Sequence, residues 1–248
     1  MTAQPQIRPV VARLRHGLVV IVFAIGLAGS SASRLGTPAR AAPVEVDVAL
    51  VLAVDCSYSV DAREFRLQMG GIANAFRQKA VHDAIARGAL GRIAVAIVEW
   101  SDDANQVVAV NWTLIDGPDA ALGFAGIVLD TPRLLAEGGT AIGTALQFSA
   151  AVLLAAPVET LRRVIDISSD GRNNRGIRVS TARDEVAAKG ITINGLAIVN
   201  EWPTLDRYFE MQVVGGPYHF HMVANDYDAY AEAIYRKLLR EITGPGTS

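Results

Sequence analysis

Val44-Glu45-Val46-Asp47-Val48-Ala49-Leu50-Val51-Leu52-Ala53-Val54 runs directly into Asp55-Cys56-Ser57-Tyr58-Ser59, and the fold is read from this stretch. Apart from Glu45 and Asp47 the first part is continuously apolar. Such a run suits a strand covered on both faces, as in a parallel sheet. The polar stretch then falls at the carboxyl end of that strand. Open α/β sheets hold their ligands there.

Working outward, Asp61 is a candidate N-cap for a helix reaching about Ala86, with Phe65, Met69, Ile72 and Phe76 at helical spacing. Gly88 and Gly91 bracket a turn into a second apolar strand, Arg92 to Trp100. Gln106 to Val110 reads as a short antiparallel or edge strand, and Asp119 to Leu129 as a helix. Thr140 to Ala156 is a helix rich in alanine and leucine, ended by Pro157. Arg163 to Ser168 is a strand, Val179 to Lys189 a helix closed by Gly190, and Ile191 to Val199 a strand. Leu205 to Val213 reads as helical and Tyr218 to Val223 as a last strand. Tyr227 to Ile242 is a terminal helix with Tyr230, Ile234 and Leu238 on one stripe. Strands alternating with helices predict a doubly wound, Rossmann-like α/β domain. Its sheet is mainly parallel, with helices on both faces and one short antiparallel edge strand.

Upstream of Val44 the composition changes. Arg8, Arg13 and Arg15 form a basic region, Leu18 to Ala28 an apolar run, and Ser30-Ser31-Ala32 and Ala39-Arg40-Ala41 two small-residue cleavage candidates. That order is the order of an export signal. The apolar run is short for a bilayer span, although an uncleaved anchor is the alternative. The expected organisation is a signal peptide and linker over residues 1–42, one domain over 43–243, and a flexible tail over 244–248. The expected location is periplasmic or secreted. Residues 1–42 hold five arginines and no acid. The remainder therefore carries 18 of the 23 Lys and Arg against all 25 Asp and Glu, a formal charge of −7. A mildly acidic domain argues against nucleic acid as a partner. With Cys56 as the one cysteine, an intrachain disulfide and a cysteine zinc cluster are excluded.

Polar residues cluster after three of the predicted elements. The first strand ends in Asp55, Ser57 and Ser59. Glu137-Gly138-Gly139-Thr140 precedes a helix. Ser168-Ser169-Asp170-Gly171 ends another strand. Together they offer two carboxylates and several hydroxyls. Such hard oxygen donors suit Mg²⁺, Mn²⁺ or Ca²⁺. The bland alternative is that these residues simply cap helices.

Asp-x-Ser-x-Ser after an apolar strand, Gly-Gly-Thr before a helix and Asp-Gly after a further strand resemble, in that order, the metal-ion-dependent adhesion site of von Willebrand factor A domains. Ile97-Val98-Glu99-Trp100-Ser101-Asp102 and Glu137 to Leu146 are similar to flanking stretches of that family. The likeness runs from about Val46 to Leu239, and its finer match is to an uncharacterised family of exported bacterial proteins. The resemblance implies a metal site of Asp55, Ser57, Ser59, Thr140 and Asp170. In it Ser57 and Ser59 are direct ligands, Asp55 and Asp170 act mainly through water, and Thr140 acts in either way. It implies a protein partner offering an Asp or Glu carboxylate to the ion.

Some positions depart from that pattern. Cys56 stands where the family commonly has glycine, either as a small buried filler or as a reactive or dimer-forming thiol. Tyr58 replaces a small residue and either narrows the site or covers the loop. Glu99 and Asp166 lie inside apolar strands, where carboxylates need a partner or a proton. Structural hydrogen bonding is one reading of them and a second polar centre the other. His219 and His221 alternate, so a strand would place them on one face, with no third metal ligand evident. Asn173-Asn174 reads as loop chemistry or as the rim of the metal site. The sequence shows no Ser–His–Asp arrangement, no phosphate loop and no histidine in the three polar loops. The expectation is a binding or scaffold module and not an enzyme. A metal-dependent hydrolase and a metal-free structural module remain as alternatives.

Overall fold

The computed structural model describes residues 43–244. The export segment expected over residues 1–42 lies outside these, as do residues 245–248. The elements in chain order are β1 (Val44–Glu45), β2 (Ala49–Asp55), α1 (Ala62–Arg77), α2 (Lys79–Ala86), β3 (Ile93–Trp100), β4 (Gln106–Ile115), α3 (Pro118–Asp130), α4 (Ile142–Leu154), β5 (Val158–Glu159), β6 (Arg163–Ser169), α5 (Val179–Ala187), β7 (Ile191–Ile198), α6 (Leu205–Tyr208), β8 (His221–Ala224) and α7 (Tyr230–Thr243). A π-helical turn, Phe209–Val213, continues α6.

The main sheet has the order β4-β3-β2-β6-β7-β8. All neighbours are parallel except β3 and β4. The chain winds outward from β2 through β3 to β4, then returns to β6 and winds the other way. The order therefore reverses between β2 and β6, which opens a crevice at their carboxyl ends. Side chains alternate across β2. Val48, Leu50, Leu52 and Val54 join α1, α2, α3 and α7 in one core. Ala49, Val51 and Ala53 face the other way, against α4, α5 and α6. Helices thus cover both faces of the sheet, in the doubly wound α/β arrangement that the sequence predicts. Among the described residues no helix is long and apolar enough to cross a membrane.

Three expectations need correction. First, the run from Val44 to Val54 is not one strand. Asp47 leaves the ladder, and its carboxylate accepts the amide protons of Leu90 (2.9 Å) and Arg92 (3.2 Å). The chain before it pairs with β5 in a separate two-stranded parallel sheet. Second, the helix from Asp61 is two helices. Asp61 caps α1 in a reciprocal capping box with Glu64. Gln78 is then extended, and the new axis lets Val81, Ala84 and Ile85 enter the same core. Third, β4 is an antiparallel edge strand but spans ten residues, with register shifts opposite Ile97. Its antiparallel sense follows from the short link after β3, since a parallel crossover needs about a dozen residues or more.

One glycine ties this frame to the crevice. A Cβ on Gly143 would lie 2.2 Å from the carbonyl oxygen of Ile177. Only glycine lets the first turn of α4 approach the loop after β6 so closely. That approach sets Thr140, just before α4, against the loop that carries Asp170.

Candidate metal centre

Asp55 is the last residue of β2 and is fully buried. Its Oδ1 accepts the Ser57 amide proton at 2.7 Å, and its Oδ2 accepts the Ser169 hydroxyl. Gln68 of α1 donates to the Asp55 carbonyl (3.0 Å) and accepts from Ser168 (3.1 Å), so α1 braces the ends of both strands. The loop then curls until Ser59 Oγ donates to Asp170 Oδ1 at 2.7 Å. Ser57 Oγ lies 3.3 Å from Ser59 Oγ. The Tyr227 hydroxyl donates to the second oxygen of Asp170 at 3.0 Å. Asp55, Ser57, Ser59 and Asp170 therefore share one hydrogen-bonded cluster at the β2–β6 crevice.

Thr140 joins the cluster through packing. A Cβ on Gly171 would sit 3.4 Å from Thr140 Oγ1, which places that hydroxyl beside the Asp170 loop. The backbone of Thr140 is held from both sides. Its N–H donates to Asn174 Oδ1 and its carbonyl accepts the Asn174 N–H, each at 2.9 Å. Asn173 Oδ1 accepts the Gly143 N–H at 3.1 Å. The asparagine pair thus latches the Thr140 loop to the Asp170 loop.

The electrostatics are those of an acidic site without a protein cation. Neither Asp55 nor Asp170 forms a salt bridge among the described residues. Burial, followed by the Asp170 charge, pushes the Asp55 carboxyl up to about 7. Burial also raises Asp170. Two desolvated carboxylates facing hydroxyl oxygens suit a small hard cation, which would restore both to their charged form. Among the described residues no cluster of three or more His, Cys, Asp or Glu forms a metal site. The donor set here depends on hydroxyls instead.

The neighbouring residues sort themselves out. Cys56 is buried, and its thiol donates to Glu99 Oε2 at 3.7 Å. Burial raises that thiol well above its ordinary value, so the buried-filler reading holds and a surface thiol does not. Tyr58 is 78 % exposed and does not cover the loop. Glu99 accepts the Leu134 (2.7 Å) and Leu135 (3.3 Å) amide protons, a structural role. Asp166 is paired with Lys237 and not with the backbone or an arginine. His219 precedes β8 and bonds the Gly216 carbonyl through Nδ1, so the two histidines do not share a strand.

Sequence reasoning missed four contributors. Ser169 and Tyr227 hold the two carboxylates, Gln68 braces the strand ends, and Arg133 clamps the loop. The Arg133 guanidinium donates to the carbonyls of Val60 (2.8 Å) and Cys56 (2.7 Å). Ser169 stands next to Asp170, and the polar end of β6 was a usable signal. Nothing local marks Tyr227, Gln68 or Arg133, which reach the site only through the fold.

Comparison with solved structures finds the same fold in proteins of low identity. Proximal thread matrix protein 1 of the mussel byssus is 14% identical with a TM-score of 0.57, over 81% of this chain and 49% of that one. A structure of the same mussel protein is described as having a zinc-occupied MIDAS motif. The pilus adhesin SpaC of Lactobacillus rhamnosus GG is 14% identical with a TM-score of 0.56, over 81% and 31%. A von Willebrand factor type A protein of Catenulispora acidiphila is 19% identical with a TM-score of 0.51, over 80% and 43%. The chain thus spans half or less of each of these proteins. No curated protein matches it by sequence. The family described as "Protein of unknown function (DUF1194)" matches residues 45–246, and the chain, von Willebrand factor A-like in fold, belongs to that family.

Proposed function

We propose that this chain is an exported binding or scaffold module. It holds one divalent ion of the Mg²⁺ class, with Mn²⁺ or Ca²⁺ as substitutes. The ligands are Asp55, Ser57, Ser59, Thr140 and Asp170, and the ion serves to recognise an Asp or Glu carboxylate on a protein partner. The observation that carries this reading is the convergence of two buried, cation-free carboxylates with three hydroxyl side chains at the switch point of the sheet. The mussel protein described with zinc in a MIDAS motif, and the pilus adhesin, support it by analogy of fold.

The residues prepare the site in a definite way. Ser59 gives its proton to Asp170, which leaves its oxygen lone pairs free for a cation. Ser57 N–H and Ser169 hold Asp55, while Tyr227 and Ser59 hold Asp170. Neither carboxylate therefore needs to reorganise. A divalent ion bound there supplies a Lewis-acidic position open to an anionic oxygen from outside. Hydrolysis needs in addition a free base, and Glu99 and Asp166 already engage the Leu134 amide and Lys237.

Thr140→Ala and Asp170→Ala are expected to abolish EDTA-sensitive, Mg²⁺-restored retention of an envelope partner on the immobilised protein. Retention that is indifferent to EDTA would favour the metal-free module. Metal-dependent turnover of a phosphate ester, lost in Glu99→Gln, would favour the hydrolase.

The same reading takes residues 1–42 as signal and linker and 43–243 as the domain. Mass spectrometry of the protein from its native host is expected to give an N-terminus between Ala32 and Pro43. A chain that still begins at Met1 or Thr2 in the soluble cytoplasmic fraction would contradict export.

A further inference from the structure

A cavity of about 460 Å³ lies at the opposite end of the sheet from the Asp55 loops. It is bordered by the first residues of β6 and β7, the loop before β8 and the last turn of α7. Its volume is in the range of small-molecule sites and well above that of a single inorganic ion.

Its walls are more apolar than polar and include three arginines, Arg162, Arg163 and Arg240, beside His219. Arg162 donates to the carbonyls of Glu241 and Ile242 and so caps α7. Arg163 and Arg240 form no salt bridge among the described residues. The Arg240 guanidinium lies 3.8 Å from the centre of the Phe220 ring, a cation–π contact that holds it in one place.

The floor does not neutralise these charges. Lys237 Nζ is 2.6 Å from both Asp166 Oδ1 and Glu241 Oε1, and Asn194 Nδ2 donates to the same Glu241 oxygen at 2.9 Å. Burial and the Asp166 charge push the Glu241 carboxyl up to about 8. Both carboxyl groups of the floor are turned to Lys237, and neither is salt-bridged to Arg163 or Arg240. Glu241 lines the cavity, and its Oε2 is buried without a partner.

The mouth is strained. Tyr218 has φ 56, a left-handed conformation that costs a non-glycine residue about 1 kcal/mol or more. The residue is 77 % exposed, so packing does not offset the cost.

We infer that this cavity binds a small organic oxyanion, its phosphate or carboxylate group held by Arg163 and Arg240 and its body covered by Phe220 and Tyr218. The site stands apart from the Asp55 cluster and does not depend on a metal there.

Amide NMR of the purified protein tests this, with glycerol 3-phosphate, citrate and inorganic phosphate as probes at constant ionic strength. Saturable shifts at Thr192, Asn194 and Phe220 are expected with glycerol 3-phosphate or citrate, half-complete by roughly 1 mM. Which of the two saturates first distinguishes phosphate from carboxylate. The affinity should fall about tenfold or more in Arg163→Ser and in Arg240→Gln, and stay unchanged in Asp55→Ala. Arg163→Ser carries the test alone if loss of the Phe220 contact unfolds Arg240→Gln. The inference is overturned by shifts with inorganic phosphate only, by shifts that persist in Arg163→Ser, or by none that saturate.

Discussion

Asp55→Ala is expected to abolish Mg²⁺ and Mn²⁺ binding measured by calorimetry, while circular dichroism shows the fold retained. Both oxygens of Asp55 are already oriented, by the Ser57 amide and the Ser169 hydroxyl, so the carboxylate meets a cation at little further entropic cost. The metal-free domain suffers from the same carboxylate. Its folded value, about 7, lies above the ordinary 3.8 because burial and Asp170 disfavour the charge. An acid with a raised folded value binds its proton more tightly when folded. Its contribution to stability is therefore present at low pH and lost as pH rises through about 7. Metal binding needs the charged form, so affinity should rise across that interval. Two measurements follow. Without metal, chemical denaturation should show stability falling from about pH 4 to pH 7, and Asp55→Asn should flatten that slope. With Mg²⁺, the wild-type protein should recover the loss and Asp55→Asn should not. Unchanged Mg²⁺ binding in Asp55→Ala would remove Asp55 from the site altogether.

Lys237→Met should cost about 3–5 kcal/mol of folding stability. Lys237 is wholly buried between Asp166 and Glu241, at 2.6 Å from each. Methionine keeps most of the side-chain volume, so the loss reports charge and not a void. Without the ammonium, two buried carboxyl groups face each other with only Asn194 as a donor. At least one must then take a proton or draw water into the core. Asp166 Oδ2 and Glu241 Oε2 are already unpartnered, so there is no spare hydrogen bonding to absorb the change. In a domain of this size the melting temperature should drop by roughly 10 °C. Replacing all three residues by apolar ones of similar volume should recover most of the loss, since such a group is stabilising only relative to its broken forms. A single variant within about 0.5 kcal/mol of wild type would show that water reaches the group.

The architecture was largely legible because its signals are local and repetitive. The continuous apolar run before Asp55, the capping pair Asp61 and Glu64, and Pro157 and Gly190 after their helices each act over a few residues. A strand buried on both faces suits a mainly parallel sheet with helices on each side, and alternation with helical segments then points to the layer order. The three polar loops were legible for the same reason, as each follows an apolar strand or precedes a helix.

What the sequence by itself determined, then, is the alternation of elements and the chemistry available at one end of the sheet. Tertiary structure decided everything that depends on approach across the fold. Asp47 ends a strand early because Leu90 and Arg92 come within reach of its carboxylate. Tyr227, 57 residues after Asp170, becomes its hydrogen-bond donor, and Arg133 reaches back 77 residues to the Cys56 carbonyl. Asp166 meets a lysine on the last helix, while Glu99 meets backbone amides, though both look alike as single acids in apolar strands. The reason is that a polar group's partner is chosen by distance in space once water has been excluded. Chain spacing carries that information only within a helical turn or a strand pair.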